Sequence, residues 1–296
     1  MIVRDRPDIW DLLTALRGSI VPRIALPVLL LAGFAAGVVG LDRVVGGVPR
    51  LDGSAFAVFG IGLSLFLGFR NNAAYDRWWE ARRLWGGLLA DLRSLAREVE
   101  VFVADPALRR AMLEAGLDFI HAHRIHLRGL PVDKAERGSV RDLAGAPHAP
   151  CAALDGLAGM VAGAYRDGGI DGFGARSLTA RVGAIAQQQA GCERIANSPL
   201  PFVYSLLIYR TSYLYCLLLP FALTGATGWA TPLFVAVVGY MFLGLAEVTE
   251  ELSHPFAPSP NGIAMDAICR AAEISLAPHL GREAPPPLAP VNHYLS

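Results

Sequence analysis

Residues 60–85 form one proline-free run whose first half is apolar and whose second half is charged and aromatic. A helix that starts in hydrocarbon and ends in water has this composition. Within the apolar half, Ile61, Leu65 and Phe69 recur every four residues, so a helix would carry them on one stripe. If several copies of the helix turned this stripe towards a common axis, it would form an apolar constriction, which is one element of channel gates.

Small residues form a neighbouring stripe at the same spacing, at Gly60, Ser64 and Gly68. Such residues let helix backbones approach each other closely in a membrane. The simpler alternative for the apolar stripe is packing inside one subunit or against lipid. The pattern alone leaves both alternatives open.

The composition indicates a membrane protein with a part outside the membrane. The chain has 296 residues, a mean hydropathy of +0.40 and only 18% charged residues, which is too apolar for an ordinary soluble protein of this length. The net charge is zero, so nothing favours nucleic acid as a partner. The four cysteines are far apart and lack CxxC spacing, which favours free thiols over disulfides.

Four apolar runs are candidates for membrane crossing, at residues 24–41, 56–69, 201–224 and 229–246. About 18–20 apolar residues are enough to span a bilayer core, and the second run reaches that length only with the polar residues that follow it. The short turn at residues 225–228 predicts that the last two runs form an antiparallel hairpin. The chain is therefore predicted to be an all-α membrane protein with four transmembrane helices per subunit.

The remaining sequence predicts a cytoplasmic helical extension. Residues 105–128 and 177–196 have the mixed charge of helices outside the membrane, and residues 130–174 are predicted to contain loops and short helices. These runs divide the chain into four predicted regions: 1–103 with the first two transmembrane helices, 104–197 cytoplasmic, 198–250 the transmembrane hairpin, and 251–296 a cytoplasmic tail.

The arginines predict the orientation. In a four-helix scheme most of them lie on one side of the membrane. The positive-inside rule therefore places both termini and the middle segment on the cytoplasmic side of a bacterial inner membrane. Basic residues are almost all Arg, with Lys134 the only Lys, which we attribute to the codon bias of a GC-rich bacterial genome. The N-terminal members of the group are Arg4, Arg6, Arg17 and Arg23.

Polar residues after the stripe have two interpretations each. Arg70 either anchors the helix end by reaching towards water or lines a vestibule with Asn71 and Asn72. Arg210 lies inside the third apolar run, where an ionisable residue is a functional candidate, with Glu247 or Asp76 as its partner.

Two groups of metal-ligating residue types occur. Glu251 and His254, in the series from Glu247 to His254, have the spacing of half a di-iron carboxylate site, but the chain has no second Glu-x-x-His, so a membrane metalloenzyme is the minor alternative. His121, His123 and His126 look like a metal cluster, but only His123 and His126 would share a helix face. A solvated basic helix surface that includes Arg124 and Arg128 is favoured. The prediction includes no metal, no cofactor and no enzymatic activity.

Three sequence blocks resemble the bestrophin family, and most closely its bacterial members. They are residues 67–85 with Leu67-Gly68-Phe69 and Arg77-Trp78-Trp79, residues 191–204, and residues 250–256. The resemblance implies a homopentamer around one central pore, with the neck at Ile61, Leu65 and Phe69 and a vestibule near it. The predicted vestibule residues are Arg70, Asn71, Asn72 and Asp76.

The resemblance also implies a second constriction in the cytoplasmic part, for which Leu178, Thr179 and Val182 are candidates, with Thr179 preferred. Animal members bind calcium through acids after a Pro-Phe pair, but here residues 257–262 contain no acid, so calcium gating is predicted to be lost.

The predicted function is a pentameric channel that passes small monovalent ions. The resemblance to bacterial family members implies a slight preference for cations. An anion (chloride) channel is the alternative, and a non-conducting scaffold is a further one. The lipid bilayer, the ions and other copies of the chain are the predicted partners.

Overall fold

The structure is a computed structural model that describes residues 1–3, 8–16, 18–135 and 137–296, except for the side chains of Leu13 and Lys134. Three arginines used to predict the orientation, Arg4, Arg6 and Arg17, lie outside the described residues. Within those residues the secondary structure consists of α-helices, short 3-10 turns and two isolated β-bridges, which confirms the all-helical prediction.

The described helices are α1 Ile9–Thr14, α2 Val21–Val44, α3 Gly53–Phe102, α4 Pro106–Leu127, α5 Gly138–Arg141, α6 Ala149–Arg166, α7 Gly172–Asn197, α8 Phe202–Thr227, α9 Thr231–Ser253 and α10 Met265–Leu276.

The chain divides into two compact units. The span unit contains residues 5–78 and 199–254, and the extension unit contains residues 1–4, 79–198 and 255–296. Helix α3 contributes its residues up to Trp78 to the span unit and the rest to the extension unit. The single helix predicted to continue from the apolar stripe to about residue 103 is thereby confirmed.

Among the residues that the structure describes, three segments are long and apolar enough to cross a membrane: Val21–Val44, Gly53–Phe102 and Phe202–Ser253. The third contains both α8 and α9, each longer than the roughly 20 residues that a crossing requires. A 3-10 turn at Gly228–Ala230 joins the two helices, and the Tyr209 hydroxyl near the start of α8 lies 2.7 Å from Glu247 Oε1 near the end of α9. The pair is therefore the predicted antiparallel hairpin.

Side chains of α2, α3, α8 and α9 form the core of the span unit, among them Leu31, Leu67 and Val235. Glycine allows close approach at two contacts. A Cβ at Gly244 of α9 would lie 2.8 Å from Ile20 before α2, and one at Gly60 of α3 would lie 2.6 Å from the Tyr215 hydroxyl of α8. At Gly60, the predicted small-residue stripe thus serves packing between helices of the same chain.

The core of the extension unit is built on one face of α3, where Trp85, Leu88 and Leu92 are fully buried. Helix α4 packs closely on this face at Gly116, where a Cβ would lie 3.1 Å from Leu92 Cδ2. The first and last described residues also belong to this unit, because the backbone of Ile2 pairs with Tyr294 in a β-bridge.

Helix α6 of the extension unit was not predicted, and neither was α10, which lies in the predicted tail. Residues 130–174, expected to hold loops and short helices, contain the 18-residue helix α6. Its Ala- and Gly-rich sequence resembles a loop, but alanine has the highest helix propensity and Leu154, Leu157 and Val161 are buried at helical spacing.

Candidate pore-lining site

Ile61, Leu65 and Phe69 form an exposed apolar row on α3. Within one subunit their side chains are 69%, 57% and 63% exposed, whereas Leu63 and Leu67 between them are buried. The two buried leucines pack against the other helices of the span unit. The helix therefore attaches to its own subunit through one face and leaves the three predicted neck residues on another.

Two of the predicted vestibule residues share the face of this row. At about 100° per residue, Asn72 and Asp76 fall within the same arc of about 80° as Ile61, Leu65 and Phe69. Both polar side chains are exposed. The apolar row is thus followed on its own face by groups that favour water.

The other two predicted vestibule residues are directed differently. Arg70 is about 180° around the helix from Ile61, and its side chain is only 5% exposed. Its Nη2 donates to Glu250 Oε2 at 2.8 Å and to Ser205 Oγ at 2.6 Å. Asn71 is half-buried, and its Oδ1 accepts a long hydrogen bond of 3.5 Å from the Thr249 hydroxyl. Arg70 and Asn71 therefore connect α3 to α8 and α9 within the subunit.

The acids of the Glu247–His254 series pair with cations or a tyrosine. Arg23 Nη1 lies 2.7 Å from Glu251 Oε1 and 3.7 Å from Glu247 Oε2, and Glu247 also accepts from the Tyr209 hydroxyl. His254 Nδ1 lies 3.1 Å from the Glu250 carbonyl oxygen. Among the described residues these side chains do not converge as a metal-ligating group.

Arg210 is exposed, and across the described part of the chain no ion pair joins it to either predicted partner, Glu247 or Asp76. Glu247 instead pairs with Arg23. Arg23 lies at the start of α2 and Glu247 towards the end of α9, and these two helix ends are close together.

The three candidates for the cytoplasmic constriction lie on α7 but differ in exposure. Leu178 is fully buried, Val182 is half-buried and Thr179 is exposed. Arg181, between them, donates to Asp91 at 2.6 Å and to Glu98 at 2.7 Å, which connects α7 to α3. Thr179 is thus the candidate whose side chain remains accessible in one subunit.

The expected solvated histidine surface on α4 is wrong for two of its three histidines. His123 is fully buried, stacked on Trp85 and Phe119 with ring centroids 5.7 and 5.6 Å away, and burial lowers the pKa of its ring to about 3. His121 lies 2.9 Å from Glu273 Oε1 of α10. Only His126 is exposed.

Two arginines at the end of the same helix are also paired. Arg124 and Arg128 both bind the carboxylate of Asp266, and the Arg128 Nη1–Asp266 Oδ2 distance is 2.7 Å. Burial alone would raise the pKa of this carboxyl, but the hydrogen bonds and charges of the two guanidinium groups outweigh burial and lower it. Asp266 is the first acid after residues 257–262, the segment predicted to lack a calcium clasp.

Several membrane-length apolar helices, two of them joined as a hairpin, are typical of multi-pass membrane proteins. A family model described as Bacterial/Fungal Bestrophin protein matches residues 1–278. The chain belongs to this bestrophin family.

Similar proteins agree with that assignment. The "Voltage-dependent anion channel-forming protein mll4386" of Mesorhizobium japonicum is 44% identical over 99% of this chain and 96% of its own length. The "Voltage-dependent anion channel-forming protein YneE" of Escherichia coli is 38% identical over 81% of each chain. A crystal structure of a bacterial Bestrophin homolog from Klebsiella pneumoniae superposes with a TM-score of 0.80 at 29% identity, covering 90% of this chain and all of the other.

Proposed function

We propose that the chain is one subunit of a homopentameric anion channel of the bacterial inner membrane. Four helices of each subunit cross the bilayer, with both termini in the cytoplasm. Small monovalent anions such as chloride pass an apolar neck formed by five copies of Ile61, Leu65 and Phe69.

The exposed apolar row on α3 carries this proposal. Burying one large apolar side chain is worth about 1.5–3 kcal/mol, so a row left exposed by the subunit requires lipid or further protein around it. The same face continues into Asn72 and Asp76, which need water or polar partners. A pore axis satisfies both parts of the face, because a constriction can be apolar and the vestibule beyond it is wet.

The names of the relatives support anions over the slight preference for cations expected from the sequence. Both relatives described above are named voltage-dependent anion channel-forming proteins. The neck itself is apolar and has no charge that would select an ion. Arg70 does not give the vestibule a free positive charge, because its guanidinium is paired with Glu250.

Cation conduction is the second candidate, and one observation favours it. Asp76 is exposed and shares the face of the neck residues, so a pentamer would place five carboxylates beside the pore. Rings of acidic side chains favour cations in channels.

Conduction is proposed to be independent of calcium. Calcium needs several carboxylate or carbonyl oxygens. Asp266, the first acid beyond residues 257–262, already has its two oxygens bound by Arg124 and Arg128.

The reversal potential in a planar bilayer under a sodium chloride gradient tests the proposal. The purified full-length protein should reverse near the chloride equilibrium potential, with or without calcium. Asp76→Asn should leave that value unchanged or move it further towards chloride. A wild-type value near the sodium potential, shifted towards chloride by Asp76→Asn, would replace the anion proposal with the cation candidate.

The same protein should be pentameric by light scattering in detergent. A pentamer that carries no current in the wild type or in neck variants would contradict the channel proposal as a whole.

A further inference from the structure

Three side chains of metal-ligating types meet in the extension unit, from helices far apart in sequence. His126 lies in the last turn of α4, His148 is the residue that caps the start of α6, and Glu193 lies near the end of α7. One ligand atom of each lies within 4.8 Å of the others. The ring centroids of the two histidines are 4.4 Å apart. The channel proposal uses none of these residues.

The residue types and one distance match zinc coordination. Imidazole nitrogen and carboxylate oxygen are common zinc ligands at about 2.0–2.2 Å, so two ligands of a tetrahedral zinc are about 3.3 Å apart. His148 Nε2 and Glu193 Oε1 are 3.3 Å apart. His126 is exposed at the end of its helix, so its ring can rotate towards the other two without displacing core side chains. We propose that His126, His148 and Glu193 bind one Zn²⁺ per subunit, with water as the fourth ligand.

A neighbouring amide holds the carboxylate in position. Gln189 is buried, one turn before Glu193 on α7, and its Nε2 donates to Glu193 Oε1 at 2.8 Å. Hydrogen bonds of this kind orient metal ligands and contribute to affinity. Oε1 is also the oxygen 3.3 Å from His148 Nε2, and its second lone pair is left for the metal.

Zinc has to compete with a hydrogen bond that caps α6. The backbone N–H of Cys151 donates to His148 Nδ1 at 3.2 Å. A neutral imidazole has only one acceptor nitrogen, so in this state His148 Nε2 carries the proton and faces Glu193 as a donor. Binding of zinc at Nε2 moves that proton to Nδ1 and releases the Cys151 N–H. Zinc binding therefore removes one capping hydrogen bond at the start of α6 and adds a metal ion that connects α4, α6 and α7.

The test uses full-length, tag-free protein in detergent, stripped of metal with a chelator and titrated with ZnCl2 by calorimetry. The expected stoichiometry is one zinc per subunit, and zinc should raise the melting temperature because it binds the folded state. His126→Ala and Glu193→Gln should each weaken zinc binding by more than about tenfold, since loss of a mere ligand-supporting group already costs that much.

Two matched variants serve as controls. His254→Ala removes another exposed histidine, and Cys151→Ser replaces the thiol that accepts from Gln189 Nε2 at 3.2 Å by a hydroxyl that accepts in its place. Both should bind zinc like the wild type. Elution volume and melting temperature without zinc show whether each variant is folded and assembled. If His126→Ala is unstable, Glu193→Gln still tests the site, because its amide oxygen keeps an acceptor for Gln189.

Three results would overturn the zinc site. One is the absence of stoichiometric uptake by the wild type. Another is equal affinity in the wild type, His126→Ala and Glu193→Gln. The last is a loss of affinity found only in Cys151→Ser or His254→Ala, which would assign the metal to other ligands.

Discussion

The two halves of α3 differ in where their large apolar side chains lie. In the half that belongs to the span unit, such residues occur on buried and exposed faces alike, as Leu67 and Leu65 do. In the half that belongs to the extension unit, Leu88, Leu92 and Leu95 are fully buried, and exposed large apolar residues occur near its two ends, at Trp79 and Val101. Apolar surface left exposed by a helix in water is costly, whereas lipid or neighbouring subunits remove that cost. The environment of one continuous helix thus changes along its length.

The polar residues of the two halves repeat the contrast. Near the end of the first half, Arg70 is buried and held by a single carboxylate and a hydroxyl. In the second half, Arg93 and Arg97 are exposed, as on an ordinary helix with one face in water. A buried charge needs a specific partner, which Glu250 supplies for Arg70, whereas an exposed guanidinium is solvated by water.

The same substitution in each half should give the largest difference. Leu92→Ala should lower the free energy of unfolding by about 2–5 kcal/mol, because it opens a cavity against Gly116 of α4. Leu65→Ala, which removes an exposed side chain, should change it by less than about 0.5 kcal/mol. Thermal unfolding of the two variants in the same detergent measures the contrast. An equal loss in both would mean that Leu65 is packed rather than pore-facing.

An intermediate effect is expected where α3 meets α9. Glu250→Gln leaves the buried Arg70 guanidinium without its anion and should cost about 1–3 kcal/mol. Arg70→Met should cost less, about 1 kcal/mol, because the remaining Glu250 side chain is 41% exposed and water solvates it. Thermal stability should rank the variants in that order. If Arg70→Met lost more stability than Glu250→Gln, or changed the reversal potential more than Asp76→Asn, Arg70 would have to line the vestibule.

The smallest effect on stability is expected for the neck. Replacing Ile61, Leu65 and Phe69 together by Ala should change the free energy of unfolding by less than about 1 kcal/mol, because all three side chains are exposed in the subunit. Single-channel conductance or leak should rise, because a wider and less apolar neck wets more readily. Currents identical to those of the wild type would show that these three residues do not form the neck.

Helical periodicity groups part of the candidate site. The spacing of Ile61, Leu65 and Phe69 predicts one face, and the same rule applied further along α3 places Asn72 and Asp76 on that face and Arg70, nine residues after Ile61, on the opposite one. The prediction that grouped Arg70 and Asn71 with the vestibule relied on chain proximity. Neighbours in sequence point in different directions on a helix, and only the angle separates them.

Residues brought together from distant parts of the chain were beyond the sequence. A histidine of α4 meets His148 and Glu193 only because α6 folds against α4 and α7, and α6 itself was expected to be loops and short helices. The pairing of Asp266 with Arg124 and Arg128 depends in the same way on α10 packing near α4.

The sequence by itself determined the all-helical class, the apolar segments, the antiparallel hairpin and the family, because these depend on local periodicity, hydropathy and short blocks of residues. Tertiary structure decided which charges are satisfied and which remain available. Arg70 is buried on Glu250, Asp76 stays exposed, and His126 faces a histidine rather than solvent alone. Long-range partners set the free energy of a buried or exposed charge, and no local pattern in the chain specifies them.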